Sequence, residues 1–139
     1  MTALDSGEAL ELARKATGVD ELTPARTWRV ERLDRPREAY WLVILGPEEA
    51  PSAVCAIDAS SGDAMSWARL GGVGPHVPVS AAEADRIADL GTTEISLVWQ
   101  ACQLSMSPLY PFWRVSNQSR TVYVDQQGRC WDRIVFGRG

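Results

Sequence analysis

The 139-residue chain has one histidine, His76, only three cysteines, and no two cysteines or histidines at metal-ligand spacing. Without a CxxC or His-x-x-x-His the sequence carries no zinc signature. A lone histidine also leaves a general base with no evident nucleophile. Cys55 or Cys102 can be sketched beside His76, but nothing in their spacing supports the pair. Asp58, Asp63 and Asp125 would cluster only if folding joined two distant turns, and each is expected to cap its own turn. Gly71-Gly72-Val73-Gly74 lacks the Lys-Ser/Thr of a phosphate loop and reads as a hinge. No cofactor, no metal and no enzymatic activity are therefore expected.

Cations are also scarce. Fourteen Lys and Arg stand against eighteen Asp and Glu, for a net charge of −4. They are scattered, which argues against a duplex nucleic-acid binder, since that needs clustered positive charge. No apolar run approaches the roughly 20 residues that cross a bilayer. The first residues show neither a basic start nor an apolar signal core. A cytoplasmic location is the expectation, and the odd cysteine count fits it. Cys55, Cys102 and Cys130, all in strand-like runs, are expected to be buried free thiols.

What is present is a soluble globular composition, 45% hydrophobic and 23% charged, with six tryptophans but only two phenylalanines. Four landmarks recur in order: Trp28 with Trp99, Tyr40-Trp41-Leu42-Val43 with Phe112-Trp113-Arg114-Val115, Asp58…Gly62 with Asp125…Gly128, and Trp67 with Trp131. Each half opens on a helix signal. Asp5 with Glu8 is a capping box, Gly18 a stop, and Ser80 with Glu83 a second box. Strands are expected over Trp28–Leu33, Ala39–Leu45, Ala53–Asp58 and Ala64–Leu70. In the second half they are expected over Thr93–Ser105, Phe112–Ser116, Arg120–Asp125 and Arg129–Phe136.

This predicts an α+β protein of tandem helix-plus-antiparallel-sheet repeats with pseudo-two-fold symmetry. The repeats are residues 1–72 and 79–139, joined by a Gly/Pro linker at 73–78. A 60-residue unit alone buries little surface, so the halves are expected to pack as one body.

The helix, the aromatic strand and the Asp-turn-Gly hairpin resemble small cystatin-like modules. Ala39-Tyr-Trp-Leu-Val43, Ala50-Pro51 and Ala56-Ile57-Asp58-Ala-Ser-Ser-Gly62-Asp63 are similar to the YrhB-like immunity-protein family. Both halves resemble, more loosely, the PepSY module, the second through Val124-Asp125-Gln-Gln-Gly128-Arg. The first resemblance implies a non-catalytic protein that neutralises a toxin, and the second implies binding or inhibition of a peptidase. The chain departs from both. PepSY modules usually lie outside the cytoplasm, and YrhB-like proteins are usually a single unit.

The function expected is that of a binding protein of immunity or inhibitor type, with an aromatic and acidic surface spanning both halves. Trp67, Tyr110, Trp131, Glu48 and Glu49 are its candidate residues. Aromatics supply contact area and the Glu48-Glu49 loop suits a basic partner. Two alternatives stand beside it. One is a small-molecule or enzymatic site in a helix–sheet cavity. The other is a homodimer joined along an exposed edge, either Arg129–Phe136 or Trp28–Leu33.

Overall fold

The computed structural model describes residues 3–91 and 94–134. The chain runs α1 (Ser6–Thr17), β1 (Ala25–Arg32), β2 (Ala39–Leu45), β3 (Ala53–Asp58), β4 (Ala64–Arg69), α2 (Ala81–Ala88), β5 (Glu94–Trp99), β6 (Phe112–Ser116), β7 (Thr121–Val124) and β8 (Cys130–Trp131). The fold is α+β, with all eight strands in one sheet of order β4-β3-β2-β1-β5-β6-β7-β8.

Each half is a four-strand antiparallel meander, and the two are sewn together by a parallel pairing of β1 with β5. The sheet is therefore mixed, where a purely antiparallel one was expected. That pairing also puts Trp28–Leu33 at the centre of the sheet, so it is not an edge.

The helices begin where the caps predict. Asp5 accepts the Glu8 N–H at 2.8 Å while the Glu8 carboxylate takes the Asp5 N–H at 3.3 Å, a reciprocal box. Gly18 ends α1 at φ 73°, a left-handed turn that costs glycine nothing. Ser80 accepts the Glu83 N–H at 3.1 Å, but among the described residues no return bond reaches its own N–H, so the second box is half-formed. Asp89 caps α2 in the left-handed region at φ 51°, its N–H bonded to the Asp85 carbonyl, and Gly91 two residues on is left-handed as well.

Strand alternation assigns the faces. Ala9 and Ala13 of α1 pack on Val43, Leu45, Cys55 and Ile57. Tyr40, Leu42 and Ile44 point the other way, into the core that holds Ala84 of α2. Trp28 is opposite Leu42 and meets Trp113 edge to face at 6.0 Å, and the Trp113 indole N–H donates to the Val79 carbonyl just before α2. The two helices thus lie on opposite faces.

The landmarks correspond in part. Trp41 pairs with Ile57 and Trp113 with Val124, each one residue before its turn aspartate. Trp28 and Trp99 do not correspond, because Trp99 is level with Arg32. Trp67 pairs with Cys55, on the face covered by α1, after a register shift at Ala56/Ile57. Trp131 pairs with Tyr123, on the face away from α2.

β5 stops at Trp99, whose carbonyl accepts the Leu33 N–H. The chain then turns through a Cys102–Ser105 bridge instead of continuing to Ser105 as a strand. β8 is two residues long, and the predicted extension through Val135 and Phe136 lies outside the described residues. Cys55 and Cys102 are buried as expected, but Cys130 is exposed on this short strand.

Candidate functional site

Trp67 and Trp131 are on the two outermost strands, seven strand spacings or roughly 34 Å apart. One continuous surface holding both is not what the fold builds. The other three candidates fall on one side of the molecule, where the Gly71–Val79 segment and the Gln100–Pro111 loop cover the β1–β3 face that α1 leaves free. Tyr40 is fully buried there, and its hydroxyl donates to the Pro108 carbonyl at 2.7 Å. Burial in the core pushes that phenol above its ordinary range.

His76 ties the two covering segments together. Its Nε2–H donates to the Leu109 carbonyl at 2.6 Å, and its ring lies 4.9 Å from that of Tyr110. Burial lowers the His76 pKa, partly opposed by the carbonyl, so the neutral ring is favoured. On its other side, Pro75, His76 and Val77 meet Trp28, Ile44, Arg26 and Glu48 around a space of about 30 Å³, room for one water. Glu48 pairs with Arg26 at 2.6 Å, both half-exposed, and the Glu49 carbonyl accepts the Gly74 N–H at 2.7 Å. The acidic turn is thereby fastened to the linker that carries His76.

Tyr110 is 49% exposed and stands on the shared wall of two surface grooves. One, of about 260 Å³, runs past Val73, His76 and Pro78. The other, of about 390 Å³, runs past Leu104, Met106, Phe112 and Arg129. Val73 (96% exposed) and Met106 (58%) flank Tyr110, so three of the five large apolar side chains that face solvent among the described residues border these grooves. The tyrosine is held upright by its own loop: its N–H donates to the Ser107 carbonyl, and the Ser107 hydroxyl accepts the Leu109 N–H.

Gln126 braces the same ridge, accepting the Val79 N–H at 3.1 Å and donating to the Pro111 carbonyl at 3.2 Å. Sequence alone leaves His76 without a catalytic partner, and it marks neither Gln126 nor Met106. Their roles depend on contacts distant in sequence, and no local pattern marks them.

Trp131 lies at the far end. Its indole N–H donates to the Asp125 carboxylate at 3.0 Å, and the Arg129 guanidinium sits 5.5 Å over its ring. Arg129 also lines the larger groove, so Trp131 adjoins the Tyr110 surface through one side chain. Asp125 is 3% exposed and accepts from the Gln127 and Arg129 N–H groups, the Arg129 side chain and Trp131. Burial alone would raise its pKa, but these donors outweigh it and hold the carboxyl below its usual range.

Catalytic geometry is thin. Among the described residues His76 bonds to the Leu109 carbonyl, and no hydrogen bond joins it to a thiol or a carboxylate. Cys55 lies under α1, on the opposite face, with its thiol pushed up to about 11 by burial, so it is neither near the imidazole nor a thiolate at neutral pH. The Asp58 and Asp125 turns lie toward opposite ends of the sheet and form no cluster. No group of three or more potential metal ligands occurs among the described residues. A depression of about 1100 Å³ follows α1, but its lining residues all come from α1 and its flanking turns, and no strand residue contributes a wall.

No family model matches the chain, and no curated protein matches it. Among solved structures it is similar to a candidate lipoprotein from Clostridium difficile 630, at 12% identity and a TM-score of 0.42, over 97% of this chain and 94% of that one. Likeness at that level carries no argument about fold or function. Among the described residues no helix is long and apolar enough to cross a membrane.

Proposed function

We propose that the chain is a non-enzymatic binding protein of immunity or inhibitor type, which holds a protein partner against the surface centred on Tyr110. The observation that carries the reading is the exposed, braced position of Tyr110 between two grooves, with Val73 and Met106 beside it. A rigid, half-exposed tyrosine ringed by apolar side chains is the kind of residue that dominates interface energies. The Glu48-Glu49 turn at one end favours a basic partner, a toxin or a peptidase, through charge complementarity. Trp131 extends the surface at the other end, and Trp67 is not part of it. The same reading keeps the protein in the cytoplasm, where its three free cysteines stay reduced.

Kinship with YrhB-like proteins and, more loosely, with tandem PepSY modules belongs to the same proposal. The strand order supports a duplicated unit. Each half is a helix followed by a four-strand meander, the first strands pair in parallel, and the helices lie on opposite faces. A pseudo-two-fold axis lying in the sheet between β1 and β5 would produce that arrangement. The matching places of Trp41 and Trp113, and of the two turn aspartates, support it further.

The test is capture of partners from the source organism's lysate with tagged wild type, Tyr110→Ala and Trp67→Ala. The expected result is one stoichiometric protein retained by Trp67→Ala and lost with Tyr110→Ala. A folded bait that captures nothing, or a partner held equally by Tyr110→Ala, overturns the proposal.

A further inference from the structure

The two edges of the sheet are built differently. β8 is two residues long and flanked by charge, with Arg120 paired to Asp132 and Arg129 stacked over Trp131. Shortness and charge are common ways to blunt an edge. β4 is six residues long, Ala-Met-Ser-Trp-Ala-Arg, with no proline, no lysine and one charge at its end. It also presents Trp67 at 42% exposure, the only large aromatic on that edge.

The open hydrogen-bonding groups of β4 can be assigned. Leu70 donates its N–H to the carbonyl of Ser52, which is its partner in the β3–β4 register. In an antiparallel ladder, bonded pairs alternate with unbonded ones. Residues 70, 68 and 66 therefore bond inward to β3, and the N–H and C=O groups of Trp67 and Arg69 point outward. Trp67 and Arg69 also share a sheet face, the one carrying α1, since they pair with Cys55 and Ala53.

We infer that β4 is a homodimer interface, pairing antiparallel with β4 of a second copy so that Trp67 lies opposite the partner's Arg69. A two-fold axis through Ala68 brings this about twice. All four outward N–H and C=O pairs are then used, giving four main-chain hydrogen bonds. Each guanidinium comes to lie beside an indole face, an arrangement that favours both groups. Ala68 faces the partner's Ala68, so no bulk opposes the approach. A register centred on Arg69 would set two like charges against each other, and one centred on Trp67 would leave the cations without rings. The occupant is a second copy because the edge complements itself. The inference is independent of the Tyr110 reading.

Sedimentation equilibrium from about 1 to 200 μM on the full chain tests it, with circular dichroism confirming that each variant is folded. Wild type is expected to move from the 15.3 kDa of one chain toward twice that mass. Trp67→Lys is expected to weaken association about 100-fold, because each dimer contains two altered sites. Cys130→Lys, exposed on the other edge, is expected to leave the mass curve unchanged.

The register has its own readout. In a Cys130→Ser background, Ala68→Cys is expected to form an intermolecular disulfide on mild oxidation, and Ser66→Cys is not. A single-chain mass at every concentration, or a dimer that survives Trp67→Lys, overturns the interface. Cross-linking at Ser66→Cys in place of Ala68→Cys overturns the register.

Discussion

The two halves share an order of elements, yet their helix-free faces could hardly differ more. In the first half that face is Tyr40, Leu42, Ile44, Val54 and Ala56, all buried. No helix covers it. The cover comes from the Gly71–Val79 segment and the Gln100–Pro111 loop, pinned by Tyr40 to Pro108 and by His76 to Leu109. In the second half the corresponding face is apolar only at the buried Val98–Phe112 pair and polar beyond it. Arg114 joins Glu31 at 2.9 Å and Ser96 at 3.2 Å, with Tyr123 and Trp131 beside them, all half-exposed. An apolar face must be covered to be stable, and a polar one need not be. The cover on the first half is what creates the Tyr110 surface, so the candidate site is a by-product of burying a sheet that its own helix does not reach.

The turn aspartates sharpen that contrast. Asp58 caps its turn from the surface, accepting from the Ser60 and Ser61 N–H groups and the Ser60 hydroxyl. Asp125 is buried and reaches beyond its turn to Arg129 and Trp131. Asp125→Ala is expected to cost about 3 kcal/mol, because it removes four hydrogen bonds to a buried carboxylate, and Asp58→Ala about 1 kcal/mol. Urea unfolding of both variants checks the ranking, and equal losses would break it. Asp125 also predicts the sign of an acid dependence. Its folded pKa is depressed, so its stabilisation is present above the unfolded value of 3.8 and fades as pH falls through the folded one. The acid limb of the stability curve is expected to flatten in Asp125→Asn.

Smaller effects probe the cover itself. Tyr40→Phe removes the bond to Pro108 and leaves a half-buried carbonyl without this partner, at a cost of about 1 kcal/mol. Hydrogen exchange should then quicken in residues 105–111 more than in β7. The depressed His76 pKa favours the neutral ring in the folded state. Stability is therefore expected to decline as pH drops from the unfolded value of 6.5 through the folded pKa. His76→Gln should remove that slope, and an unchanged slope would assign it to other groups. Smallest of all, Tyr110→Ala is expected to change the unfolding midpoint little, since the ring is half-exposed, while abolishing partner capture. A large loss of stability would make Tyr110 a packing residue instead.

Local chemistry was legible in the sequence. The Asp5–Glu8 and Ser80–Glu83 caps, the β2 run and both Asp…Gly turns form where their residues place them, because each depends on neighbours a few positions away. The parallel β1–β5 pairing was not legible, since it joins residues 67 positions apart, as Glu31 with Val98. It alone turned Trp28–Leu33 from a supposed edge into the centre of the sheet. The run after Trp99 misled for another reason. Ala101, Cys102 and Leu104 are apolar because they pack as a cover over the sheet, and burial by covering leaves the same signature as burial by pairing. Of the candidate site, Tyr110, Glu48, Glu49 and Trp131 were chosen for residue type. Trp67 was chosen on the same ground and lies on the far edge.

The first half's core is completed by segments of the second, so the two halves are expected to unfold as one body. The most direct measurement is circular dichroism and denaturant unfolding of residues 1–72 alone beside the full chain. A single cooperative transition is expected for the full chain and no folded state for the fragment, because the Tyr40, Leu42 and Ile44 face would be bare. A fragment that folds with a cooperative transition near that of the full chain would contradict it.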